Sequence, residues 1–155
     1  MDAREIPRIN HVAMSVPAGL LSEQSQRELL DFYGEVLGWT AMPGLSRPGE
    51  LLVMRVHSHE QFVFLAASDA PMTCPPGDHF GLSLPTPAEL AEAHARCEAW
   101  QARDPRVEID PPKVDDFGML RLHSFYLRYR LPMRIELQCF EWRGGAGPTS
   151  RPRAS

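Results

Sequence analysis

The sequence predicts an α+β fold: two βαβββ modules forming a curved mixed sheet around a central cleft. Three observations predict it. Residues 11–17 read His-Val-Ala-Met-Ser-Val-Pro and residues 79–85 read His-Phe-Gly-Leu-Ser-Leu-Pro, so one pattern of His, apolar, small, apolar, Ser, apolar, Pro occurs twice. A segment of helical period follows each copy. Three further segments of strand character then follow each helix.

The two heptapeptides alternate with period two, as half-buried strands do. His11, Ala13 and Ser15 share one face, matched in the second copy by His79, Gly81 and Ser83. The opposite faces are apolar and suited to packing on a helix. The first helix is expected over about 22–37, with Leu29, Phe32, Tyr33 and Val36 in its stripe and Gly38 placed to end it. The second is expected over about 87–102, opened by Thr86 as N-cap, Pro87 in the first turn and Glu89 completing a capping box. The remaining strands are expected near 39–44, 50–57 and 60–67 in the first module, and near 106–110, 118–129 and 133–141 in the second.

These elements define one domain over residues 1–142. Module one runs over about 6–68, a Pro- and Gly-rich linker over 69–77, and module two over about 78–142. Residues 143–155, rich in Gly, Pro, Arg and Ser, read as a disordered tail.

The chain has 155 residues, a formal net charge of -4 and a single lysine, Lys113, with no basic stripe. Nucleic acid is therefore not an expected partner, because phosphate binding is mainly cationic. No apolar run approaches the roughly 20 residues of a membrane span, and residues 1–8 lack a signal peptide's apolar core, so a cytoplasmic location is expected. The three cysteines, Cys74, Cys97 and Cys139, show no CxxC spacing, and Cys97 and Cys139 read as small buried hydrophobes.

Chemistry is concentrated in a few residues. Glu136 alternates with Ile135 and Leu137 in the last strand, and a carboxylate buried there needs a partner or a cation. Gln61 is expected near the equivalent position of the first module. If the two concave faces combine, His11, His79 and Glu136 supply two imidazoles and a carboxylate to one divalent metal ion, leaving positions open for a ligand. Ala13, Ser15, Gly81 and Ser83 leave room for a small molecule. His57, His59 and His94 are expected at the surface, and Asp115 and Asp116 in a solvated, Gly-containing loop.

The sequence resembles the vicinal oxygen chelate superfamily, the fold of glyoxalases, bleomycin-resistance proteins and extradiol dioxygenases. The resemblance rests on Ile9-Asn-His-Val-Ala, Phe32-Tyr-Gly-Glu-Val-Leu-Gly-Trp39, Asp78-His-Phe-Gly-Leu, and Phe125-Tyr126 followed by Ile135-Glu-Leu, over about residues 6–142. It implies His11, His79 and Glu136 as ligands of Fe, Mn, Ni, Co or Zn. Gln61 would complete the four-ligand set of the glyoxalase and epimerase type, with Glu136 moving a proton, and a one-residue shift of register would offer Glu60 instead. The three-ligand set is that of ring-cleaving dioxygenases, for which Tyr126 and His123 are the implied catalytic neighbours. An oxygen-chelating small-molecule substrate and a homodimer are likewise implied. The alternative is a ligand-sequestering protein without catalysis. Fosfomycin-type transfer would need cationic groups, for which Arg121, Arg128, Arg130 and Arg134 are candidates against a reading as solvated or ion-paired residues. Arg128-Tyr-Arg-Leu-Pro-Met133 departs from the Asp-Pro-x-Gly turn usual in this superfamily before the last strand.

Overall fold

The computed structural model describes residues 7–145. The order is β1 (His11–Val16), α1 (Glu23–Leu37), β2 (Thr40–Ala41), β3 (Leu51–Arg55), β4 (Phe62–Ala67), β5 (His79–Ser83), α2 (Pro87–Gln101), β6 (Val107–Ile109), β7 (Lys113–Asp116), β8 (Leu120–Tyr129) and β9 (Arg134–Trp142). Two short 3-10 turns cover Ala18–Leu21 and Arg143–Gly145. The expected disordered tail thus begins with an ordered turn, and the rest of it lies outside the described residues. The chain divides into two compact units: residues 1–76 with 129–132, and residues 77–128 with 133–155.

In the first unit the strand order is β1-β4-β3-β2, with β1 parallel to β4 and the other pairs antiparallel. Period two sends Met14, Val16, Leu52, Met54, Val63 and Leu65 into the core. Helix α1 adds Leu29, Phe32, Tyr33 and Val36 to it. Ser22 caps α1 by accepting from the Ser25 N–H, and Gly38 ends it at φ 73°, a left-handed geometry that glycine adopts without a Cβ penalty. β2 is only two residues long, because Pro43 cannot donate to a ladder and Gly44 turns the chain at φ 77°.

The first unit also includes residues 129–132, the turn between β8 and β9. The Tyr33 hydroxyl donates to the Tyr129 carbonyl at 3.0 Å and accepts from the Tyr129 N–H at 3.2 Å. Arg130 takes a left-handed φ of 60°, a conformation that L residues other than glycine rarely adopt. Such a backbone costs about 1–2 kcal/mol. It is offset by the ion pair of Arg130 with Glu28, its hydrogen bond to Ser25 Oγ and the burial of Leu131.

In the second unit the order is β5-β9-β8-β6, with β7 paired to β8 and β5 parallel to β9. Phe125, Leu127, Ile135, Leu137 and Cys139 are buried, as are Leu90, Ala93 and Cys97 of α2. Thr86 caps α2 by accepting from the Glu89 N–H, while its hydroxyl donates to the Glu89 carboxylate at 2.8 Å. β7 was not expected. Asp115 and Asp116 belong to this strand rather than to a loop, and they pair with Leu122 and Arg121. The hairpin closes at Gly118, at φ 79°, whose N–H is held by Asp116 Oδ1.

Candidate metal site

The second unit brings His79 and Glu136 together. β5 and β9 run parallel with Gly81 beside Glu136, and β8 places Tyr126 directly across from Glu136. His79 Nε2 lies 3.2 Å from Glu136 Oε2. Glu136 is only 6% exposed, so its carboxylate needs compensation. Gln138 Nε2 donates to the same oxygen at 2.9 Å, and the Tyr126 hydroxyl also hydrogen-bonds the carboxylate. Burial raises the Tyr126 phenol above its ordinary range, and its bond to Glu136 raises it further. Tyr126 therefore stays a neutral hydroxyl donor near pH 7. Its ring meets His79 edge-on at 5.1 Å and carries the Arg134 guanidinium 4.7 Å from its centroid.

The protons on His79 are informative. Its Nδ1 lies 2.9 Å from the Gly77 carbonyl, which only accepts, so Nδ1 carries a hydrogen. In the neutral ring Nε2 is then a lone-pair atom pointed at a carboxylate oxygen. Two such atoms 3.2 Å apart need a proton or a metal ion between them. Ligands about 2.0–2.2 Å from one ion, at angles between octahedral and tetrahedral, stand about 2.8–3.6 Å apart. The pair fits that spacing, and the carbonyl on Nδ1 is the kind of outer contact that fixes a metal-binding histidine. Among the described residues no group of three or more His, Cys, Asp or Glu side chains gathers as a metal centre.

His11 stands in the first unit with the same local device. Its Nδ1 lies 2.8 Å from Asn10 Oδ1, its ring stacks on Phe62 at 5.0 Å, and Nε2 is left as the ring's acceptor. Gln61 is not at the position equivalent to Glu136. Glu136 pairs with Gly81, the third residue of β5, and the third residue of β1, Ala13, pairs with Phe64. Gln61 sits in the turn before β4, where Ser58 Oγ donates to its side-chain oxygen at 3.2 Å. Glu60 is in the same turn and pairs with Arg8.

His123 departs from the expectation as well. It faces Cys139 across the β8–β9 pair and bonds Glu141 at 2.7 Å, on the opposite face from Tyr126 and Glu136. That bond holds the Glu141 carboxyl below its ordinary range. His94 is not a surface residue: its side chain is 12% exposed, lies 3.3 Å from the Asp110 carbonyl and meets Phe125 edge-on. The four candidate arginines are all ion-paired, Arg121 with Asp116, Arg128 with Glu108, Arg130 with Glu28 and Arg134 with Asp110. The contact between Gln138 and Glu136 was not foreseen, although period two already places both on one face.

This architecture, a four-stranded and a five-stranded mixed sheet each with a His-led strand parallel to the last strand of its module, is the fold of the glyoxalase, bleomycin-resistance and fosfomycin-resistance proteins. A possible glyoxalase from Bacillus cereus matches at 19% identity and a TM-score of 0.59, over 85% of this chain and 98% of its own. The fosfomycin resistance protein FosX from Listeria monocytogenes matches at 16% and 0.57, over 87% and 94%. A lactoylglutathione lyase from Agrobacterium tumefaciens matches at 19% and 0.58, over 88% and 96%. At these identities the likeness is one of fold. No family model matches the sequence, and no curated protein does.

Proposed function

We propose that the protein is a metal-dependent enzyme acting on a small oxygen-chelating substrate, with His79 and Glu136 as metal ligands and His11 as the candidate second imidazole. The observation that carries this reading is His79 Nε2 set 3.2 Å from a buried carboxylate while its Nδ1 is committed to the Gly77 carbonyl. A bound divalent ion would supply Lewis-acid polarisation of a substrate oxygen. The chain's own residues define the rest. The Tyr126 hydroxyl hydrogen-bonds the Glu136 carboxyl, and Gly81, with no side chain of its own, leaves room for the Gln138 amide beside it.

Phe64 at the register position equivalent to Glu136 favours the three-ligand arrangement over the four-ligand one. Ring-cleaving dioxygenase chemistry is accordingly the first reaction to test, and glyoxalase- or epimerase-type isomerisation the second. A cytoplasmic homodimer belongs to the same proposal; among the described residues no helix is long and apolar enough to cross a membrane.

The test is metal analysis of untagged protein, stripped and then reconstituted with Fe, Mn, Ni, Co or Zn. About one equivalent is expected in the wild type, with loss in His79→Ala, Glu136→Gln and His11→Ala. Oxygen uptake with catechols by the iron-loaded protein then separates ring cleavage from isomerisation, which consumes none. Stoichiometric binding of no metal by the wild type would refute the enzyme reading and leave ligand sequestration.

A further inference from the structure

The Glu136 carboxylate is held in place from its own strand. Gln138 lies two residues on, so the pleat puts both side chains on one face of β9. Its amide nitrogen reaches Glu136 Oε2 at 2.9 Å, the same oxygen that faces His79 Nε2. The other end of the amide is fixed by what surrounds it. A Cβ at Gly81 would lie 3.7 Å from Gln138 Oε1, so that oxygen sits over the bare backbone of Gly81. Across the strand pair, Gln138 faces Ser124, which is fully buried and whose hydroxyl has no hydrogen-bond partner among the described residues. With Oε1 toward Gly81, the amide presents its donor end to the carboxylate.

Resting on the metal reading above, we propose that Gln138 is a positioning residue that sets the metal affinity of Glu136. Its N–H occupies one lone-pair direction of Oε2 and stops the carboxylate from rotating about its terminal torsion, which is otherwise broad and roughly two-fold. A second lone-pair direction of that oxygen is left toward His79 Nε2. Tyr126 braces the same carboxylate from β8, so two donors fix one anion. Outer contacts of this kind change metal affinity by about 10–100-fold when removed. They do so without altering the number of ligands.

The variants are Gln138→Met, which keeps length and volume but removes the donor, and Gln138→Glu, which replaces the donor with a second carboxylate. Stripped wild-type and variant proteins are titrated with Co2+, read by the metal's visible absorption and by calorimetry. The apo proteins are also melted. The expected result is one Co2+ per chain in the wild type and in Gln138→Met. The Kd of Gln138→Met should be about 10–100-fold weaker, with an altered absorption envelope and apo melting within about 2 °C of the wild type. Gln138→Glu should not recover wild-type affinity. A Gln138→Met variant binding within twofold of the wild type, with the same spectrum, would overturn the positioning role while leaving the metal reading intact. A wild type that binds no Co2+ would overturn both. If Gln138→Met melts more than about 5 °C low, the destabilised variant Gln26→Leu in the first unit is the control: Co2+ affinity kept in Gln26→Leu but weakened in Gln138→Met supports the proposal, and equal weakening in both refutes it.

Discussion

Replacing Tyr33 with Phe removes a single oxygen from a fully buried side chain. That oxygen serves two backbone groups at once, accepting from the Tyr129 N–H at 3.2 Å and donating to the Tyr129 carbonyl at 3.0 Å. The ring remains, so its stack on Trp39 and its edge contact with Phe32, both 4.8 Å between centroids, are kept and no cavity beyond one atom forms. Each buried backbone group that loses its bond to this hydroxyl costs about 1–3 kcal/mol. Not having to desolvate the phenol offsets part of this, which leaves a net loss of about 2–4 kcal/mol. For a chain of this size that corresponds to a fall of about 4–16 °C in Tm. Urea denaturation at 25 °C should move the midpoint with an unchanged m-value. A loss below about 0.5 kcal/mol, the size of an ordinary surface substitution, would show that the hydroxyl is not the clamp described.

Gly38→Ala should cost about 1 kcal/mol, read as a Tm drop of about 2–4 °C, because φ is 73° there and nothing lies within 4 Å of an added Cβ. A loss above 3 kcal/mol would point to a steric clash instead. Gln26→Leu should cost about 2–4 kcal/mol by urea denaturation, since one buried amide serves the carbonyls of Leu21, Arg47 and Leu51, each at 3.1 Å. A neutral result would mean that water replaces it. Burial pushes the Cys97 thiol from its ordinary 9.0 up to about 12. At pH 8 a thiol reagent should therefore modify only half-exposed Cys74 in the folded protein, and all three cysteines in denaturant. The folded state holds the Cys97 proton more tightly, so this group's contribution to stability is complete below pH 9 and is lost as pH rises toward 12.

Much of this architecture can be read locally in the sequence. The His-led strands, the caps at Ser22 and Thr86 and the stop at Gly38 depend on neighbours within a few residues, where spacing alone carries the information. β7 is not legible in the same way. Lys113-Val-Asp-Asp has no alternating apolar face, its one apolar residue Val114 is exposed, and it becomes a strand only because β8 pairs with it. His94 appears polar and peripheral until residues 16 and 31 positions on, Asp110 and Phe125, close around it. Gln61 was misplaced because resemblance between the modules does not fix a register to one residue. The pairing of Ala13 with Phe64 does fix it. His123 was within reach of a parity argument: it stands three residues from Tyr126 on one strand, and an odd separation puts them on opposite faces.

The turn at residues 129–132 has a consequence for the order in which the protein is made. The first unit lacks a piece of itself until that turn emerges, for the partner of Tyr33 lies 96 residues further along the chain. At about 5–20 residues per second, the α1 hydroxyl spends about 5–20 s of synthesis before its partner exists. A chain that stops at residue 76 lacks Tyr129, the residue that the Tyr33 hydroxyl bonds. Closure of the first module is therefore timed by translation of the second, and residues 1–76 expressed alone make an incomplete unit rather than a smaller version of the protein.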